Sequence, residues 1–187
     1  MPEPNVTQRL LAADFLTQSY RVVGKMLTPN TGVVGMLNDT TSSFMEVLDV
    51  KLARIHMPTK LVGEYNVVDL VKDNIFAVCL TRREDVGPQA LARGGYQNLV
   101  NYSIRITSQV YEVEGTLEWA GRFDFATIMV EGTRDFVPLY NATITAILIP
   151  QFRVESPAIL FNRKYVDSLA LVAEKKEKQE NKNQEIA

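Results

Sequence analysis

The chain has 187 residues, 46% of them hydrophobic and 22% charged, which is the composition of a globular protein with apolar mass for one large or two small cores. Its 20 Lys and Arg nearly balance 22 Asp and Glu, so no global field draws it onto nucleic acid or an anionic membrane. The single cysteine, Cys79, excludes an intrachain disulfide and a cysteine-rich zinc site, and no apolar run is long enough for a membrane-spanning helix.

The opening MPEPNVTQRLL has no basic region ahead of an apolar core, so no signal peptide is read and the cytoplasm is the expected compartment. The sequons at Asn5, Asn38, Asn101 and Asn141 are accordingly read as chance. Thr7 as an N-cap, followed by Leu10, Leu11 and Phe15 as an apolar stripe, predicts a short helix, with residues 1–14 as an N-terminal helix or arm. Five strands are then expected within residues 15–81: YRVVGKML (20–27), VVGML (33–37), FMEVLDVKLARIHM (44–57), NVVDLV (66–71) and IFAVCL (75–80). TPNTG reads as a hairpin between the first two, and Lys72-Asp73-Asn74 as a short polar turn between the last two. Residues 82–101 form a polar, Gly-bearing linker with room for a short helix near Gln89–Arg93.

The second half, residues 102–172, repeats this plan. Its expected strands are YEVEGTLEW (111–119), FDFATIM (123–129), FVPLYNATITAILI (136–149), PAILF (157–161) and VDSLALV (166–172). Residues 15–24 and 106–115 share Gln18, Tyr20, Val22 and Gly24 as Gln109, Tyr111, Val113 and Gly115. After a one-residue slip, residues 33–58 align without a gap on 125–150, with Thr41, Phe44, Ile55 and Pro58 identical and the apolar positions maintained. A second slip sets Val68, Leu70, Val78 and Leu80 against Ile159, Phe161, Leu169 and Leu171. The fold class expected is therefore mainly β: two tandem five-stranded small-barrel repeats packed together, because a unit of about sixty residues buries only a marginal core alone. Residues 173–187, AEKKEKQENKNQEIA, read as a charged tail, either a solvated helix or disordered.

A bent five-stranded unit of this size resembles the SH3-like or Sm-like small-barrel superfold. The duplicated pattern GMLND…SFMEVLDVKLAR and IMVEGTRDFVPLYNATITAI is similar to uncharacterised bacterial domains of unknown function that resemble tandem barrels. The resemblance implies a fold and not an activity, since such superfolds host unrelated functions.

The repeat also serves as a control on chemistry. His56, the only histidine, aligns with Leu148 and reads as a strand residue, and Cys79 aligns with Ala170 and reads as a buried, inert thiol. Asp69 aligns with Leu160 and reads as a turn or solvent-facing carboxylate. No phosphate-binding glycine motif occurs. ARGGY (92–96) is similar to the Arg-Gly element of Sm-like RNA binders but lies in the linker, and the RxxxR and [DN]xSxxG elements of PilZ-type receptors are missing. No catalytic residue, metal site or cofactor is assigned. Two binding features remain: Trp119, near an expected hairpin tip, and a basic patch of Arg82, Arg83 and Arg93 with Tyr96. The expectation is a non-enzymatic interaction or scaffold protein without a membrane role. It would bind a protein partner or itself through loop tips or an unpaired strand edge. The alternatives are a nucleotide or nucleic-acid binder using the linker arginines, and an enzyme whose acids (Asp39, Glu64, Asp85, Glu131) converge from separate loops.

Overall fold

A computed structural model of the chain describes residues 8–88, 99–131 and 134–172. The first half comprises β1 (Arg9–Thr17), β2 (Tyr20–Thr28), α1 (Gly32–Leu37), β3 (Phe44–Arg54), β4 (Met57–Val71) and β5 (Ile75–Leu80). The second comprises β6 (Leu99–Thr107), β7 (Tyr111–Ala120), a π-helical turn (Thr127–Glu131), β8 (Phe136–Ala146), β9 (Ile149–Asn162) and β10 (Ser168–Leu171). The ten strands described form one antiparallel sheet in the order β10-β6-β7-β8-β9-β5-β1-β2-β3-β4.

The expected mainly β class is present and each half holds five strands, but not the five expected. In each half the second expected strand is not a strand, and an unpredicted one, β1 or β6, precedes the first. The predicted N-terminal helix is a strand: β1 pairs with β2 on one side and β5 on the other. Leu11, Ala13 and Phe15 enter one core from alternate positions, as the two-residue period of a strand requires. The stripe of Leu10, Leu11 and Phe15 suited a helix as well, and tertiary pairing on both edges overrides the helical preference of Leu and Ala. The predicted strand VVGML is instead α1, so TPNTG is a strand-to-helix turn and not a hairpin, closed by the Gly32 N–H donating to the Pro29 carbonyl at 2.9 Å. Val33, Val34 and Leu37 lie on one helical face and are buried, whereas a strand would turn one of two adjacent valines outward. In the second half FDFATIM is likewise not a strand; its Thr127–Met129 part lies in the π-helical turn.

Neither half closes on itself among the described residues. A closed unit needs β5 to pair back within its own half, and here its second edge is taken by β9, so the two expected barrels appear as one open sheet. The linker also ends earlier than expected, since β6 begins at Leu99. The helix expected at Gln89–Arg93 and the tail 173–187 lie outside the described residues.

The two halves share their registers. Phe15 faces Val22 and Ile106 faces Val113, while Leu52 faces Val22 and Ile144 faces Val113. The polar turns are single 3-10 turns at Lys72–Asn74 and Arg163–Tyr165. Both second strands bend at a glycine. A Cβ on Gly24 would lie 2.5 Å from a Val47 methyl, and one on Gly115 would lie 2.6 Å from the Ala142 Cβ. Opposite these glycines, Asp49 (φ 51°) and Asn141 (φ 46°) adopt the left-handed conformation that short polar side chains tolerate. The same bulge thus bends both halves at the same place.

Two hydrophobic clusters result. One is built on the first half, with Phe15, Met26, Val33 and Val78, and takes in Phe136, Tyr140, Ala158 and Leu160 from β8 and β9. The other is built on the second half, with Ile106, Tyr111, Val113 and Ile144, and takes in Leu16, Phe76, Ala77 and Cys79 from the first. Every residue of β5 is buried. On β9, Ala158 and Leu160 face the first cluster and Ile159 and Phe161 the second. The central β5·β9 pair therefore lies between two cores, which explains its unbroken apolar sequence.

Candidate interaction edge

The basic patch expected from sequence is only partly described, and its described members are engaged. Arg82 forms a fork with Asp85, with Nε and Nη2 each donating at 3.0 Å to a separate carboxylate oxygen. Those bonds hold the Arg82 guanidinium above its ordinary pKa. Arg83 donates to Glu118 at 2.5 Å and its guanidinium lies 4.1 Å from the Tyr140 ring centroid. Both arginines thus tie the end of the first half to β7, β8 or their own turn. Arg93 and Tyr96 lie outside the described residues. Trp119 is within β7, opposite Val100, and packs partly buried against the second core instead of crowning a hairpin tip.

The acids considered for an enzyme sit on separate elements. Asp39 follows α1, and backbone and side-chain hydrogen bonds from Thr41, at 2.9 and 2.8 Å, hold it below the usual carboxylate range. Glu64 is exposed on β4, Asp85 is buried against Arg82, and the side chain of Glu131 is outside the described set. His56 lies in the β3–β4 hairpin turn and not in a strand; its counterpart Leu148, in the β8–β9 turn, is 90% exposed. These two turns and the β1–β2 and β6–β7 turns frame a cleft of about 340 Å³ lined by Gln18, Arg54, His56, Gln109 and Leu148. Cys79 is buried, and desolvation, with the nearby Asp14 charge adding to it, pushes its thiol far above the ordinary value. Among the described residues no three of His, Cys, Asp or Glu are grouped to hold a metal ion. No helix of the described residues is long and apolar enough to cross a membrane.

The most extensive unpartnered feature is the outer edge of the sheet. β4 spans 15 residues, Met57–Val71, and among the described residues pairs only with β3. Val68 and Leu70 pack half-buried on the first core, while the opposite face is open to solvent: Tyr65 is 47% exposed, Val67 51% and Val71 47%, with Phe44 of β3 beside Val71 at 52%. Leu61 and Val62 extend the exposed row. The charges along the strand, Lys60, Glu64 and Asp69, are few and dispersed. Edge strands in soluble proteins are usually short, bulged or charged, and a long apolar one is a template for another strand. At the opposite end of the sheet β10 pairs, among the described residues, only with β6 and carries Leu171, 52% exposed. Sequence reasoning named an unpaired strand edge in general terms but could not say which strand it was, because the β4 segment has the same apolar character as a buried strand. The chain matches no family model, no curated protein and no solved structure.

Proposed function

We propose that this chain is a non-enzymatic interaction protein that engages a protein partner by strand addition to the open edges of its sheet. The observation that carries the reading is β4, an edge strand of 15 residues with Tyr65, Val67 and Val71 presented to solvent. An added strand would satisfy its free backbone groups through a hydrogen-bonded ladder and cover these side chains in alternation. Each half curves its strands around a core that the other half helps to fill, which supports reading the halves as two small barrel-like units in one body, similar to SH3-like or Sm-like barrels. The nucleic-acid alternative draws no comparable support, since Arg82 and Arg83 are paired with carboxylates.

Site-specific photo-cross-linking in cells tests the reading. A photoreactive residue at Val67 or Val71 should give covalent protein adducts, and one at Glu114, exposed on β7 and paired on both sides to β6 and β8, should give none. If neither edge position yields a protein adduct, the interaction reading fails.

A further inference from the structure

The two edges of this sheet that are unpaired among the described residues are the counterparts of the two strands that join its halves. Within the chain, Ala77, Val78, Cys79 and Leu80 of β5 face Phe161, Leu160, Ile159 and Ala158 of β9. In the shared register β10 stands where β5 stands, since Leu16 faces Ala77 and its equivalent Thr107 faces Ser168. By the same relation β4 stands where β9 stands, since Leu48 faces Val67 and Tyr140 faces Ala158. The junction between the halves is therefore a head-to-tail contact, used once inside the chain and left open at both ends.

We infer that the occupant of these edges is a second copy of this chain, with β10 of one copy pairing antiparallel to β4 of the next. The inference rests on the interaction reading above and narrows its partner. Transferring the β5·β9 register places Ser168, Leu169, Ala170 and Leu171 opposite Leu70, Asp69, Val68 and Val67 of the neighbour. Other contacts at the internal junction transfer with it. Tyr111 donates from its hydroxyl to the Thr17 carbonyl at 2.7 Å. Its equivalent Tyr20, 38% exposed, is a tyrosine again and would reach the Ser108 carbonyl of the adjoining copy. Lys164 donates to Asp73 at 2.9 Å across the internal junction. These two residues are each other's counterparts, so the transferred contact is once more a lysine facing an aspartate.

The match has two charged departures. Asp69 occupies the place of Leu160, which is fully buried (0% exposed), and Asp167 the place of Phe76, which packs on Tyr111 at the internal junction, so pairing between copies must desolvate carboxylates that the internal junction lacks. The contact between copies is therefore weaker than the one within the chain, and assembly is reversible and concentration-dependent. Because the contact is heterologous, copies add in one direction, and the rotation per copy decides between a closed ring and a filament.

Light scattering of the purified full chain over a concentration series tests this. The mass should rise above that of one chain with concentration, and Val67→Lys and Leu171→Lys should each return it to a monomer. Mixing those two variants is the decisive measurement. Each keeps one intact edge, so together they should form a 1:1 dimer and stop. A second pair, Tyr65→Glu and Ala170→Glu, repeats the experiment with the charge elsewhere on the same edges, and far-UV circular dichroism confirms that each variant is folded. Asp69→Leu should tighten association by about tenfold or more. A wild type and an Asp69→Leu variant that both stay monomeric at ~100 μM, a range that reads micromolar affinities, would overturn the inference. So would multimers that persist in both edge variants, or folded variant pairs that do not combine. Cross-links from β4 to a different protein in cells, with none to this chain, would overturn the self-pairing alone and leave the interaction reading standing.

Discussion

At Cys79 the first half inserts a thiol into the second core, where desolvation holds it neutral. Tyr111, packed against Phe76 with ring centroids 4.8 Å apart, is likewise raised by burial. Both groups keep their protons in the folded chain at pH values where an unfolded chain loses them. A raised folded pKa contributes stability that is complete below the unfolded value and is lost as pH climbs above it. Stability should therefore fall from about pH 9 upward, by about 1.4 kcal/mol per pH unit for each group so titrated. The thiol starts first, from its ordinary 9.0, and the phenol follows from 10.0. Cys79→Ala should flatten this alkaline loss between pH 9 and 10, as read from urea midpoints; an unchanged slope would contradict the assignment. The equivalence of Cys79 and Ala170 was legible in sequence, and so was that of Gly24 and Gly115. Sequence did not reveal why those glycines recur, because the neighbouring strand that crowds them is a tertiary fact.

Among the elements, the long strands β3 and β8, the 3-10 turns after β4 and β9, and the buried strand β5 were legible, because β-branched alternation and polar turn residues act locally. β1 and α1 were misread for opposite reasons. RLLAADFLT has side chains that suit a helix but is held extended by neighbours on both edges, and GVVGML has β-branched residues but is wound by a turn that begins at Pro29 and Gly32. Just beyond the end of α1, Asn38 ties the helix to the other half of the chain. Its side-chain amide donates to the Phe136 carbonyl at 3.1 Å and its side-chain oxygen accepts from the Phe136 N–H at 2.8 Å. No motif announces this residue, since its partners lie 98 positions away. Asn38→Ala leaves the Phe136 backbone unpaired and should cost about 1–3 kcal/mol in denaturant unfolding. The equivalent loss at exposed Asn101 should be within about 0.5 kcal/mol of zero.

Over the whole molecule, the repeat read from sequence corresponds to two halves with a common register, but the way they join was not legible. Whether a strand is interior or edge depends on what lies beside it, and β4 and β9 share an apolar character in their last six residues while differing greatly in exposure. That is also why the candidate edge escaped the sequence, which directed attention to Trp119 and the linker arginines. Since β5 and β9 lie between both cores, neither half can come apart without stripping the other, and the chain should unfold in one transition. Trp119, the only tryptophan, reports on the second half, while far-UV circular dichroism reports on both. Their urea transitions should coincide; a separated tryptophan transition would show two independent units.

The strand IFAVCL, free of charge and proline, has a further consequence during synthesis. β5 leaves the ribosome roughly seventy residues before β9 begins, an interval of several seconds at ~5–20 residues per second. For that interval the first half carries a nascent, wholly apolar strand whose second edge has no mate. The duplication that makes the native sheet self-complementary thus also sets a period of vulnerability, in which a neighbouring nascent chain on the same message can donate β9 in place of the chain's own.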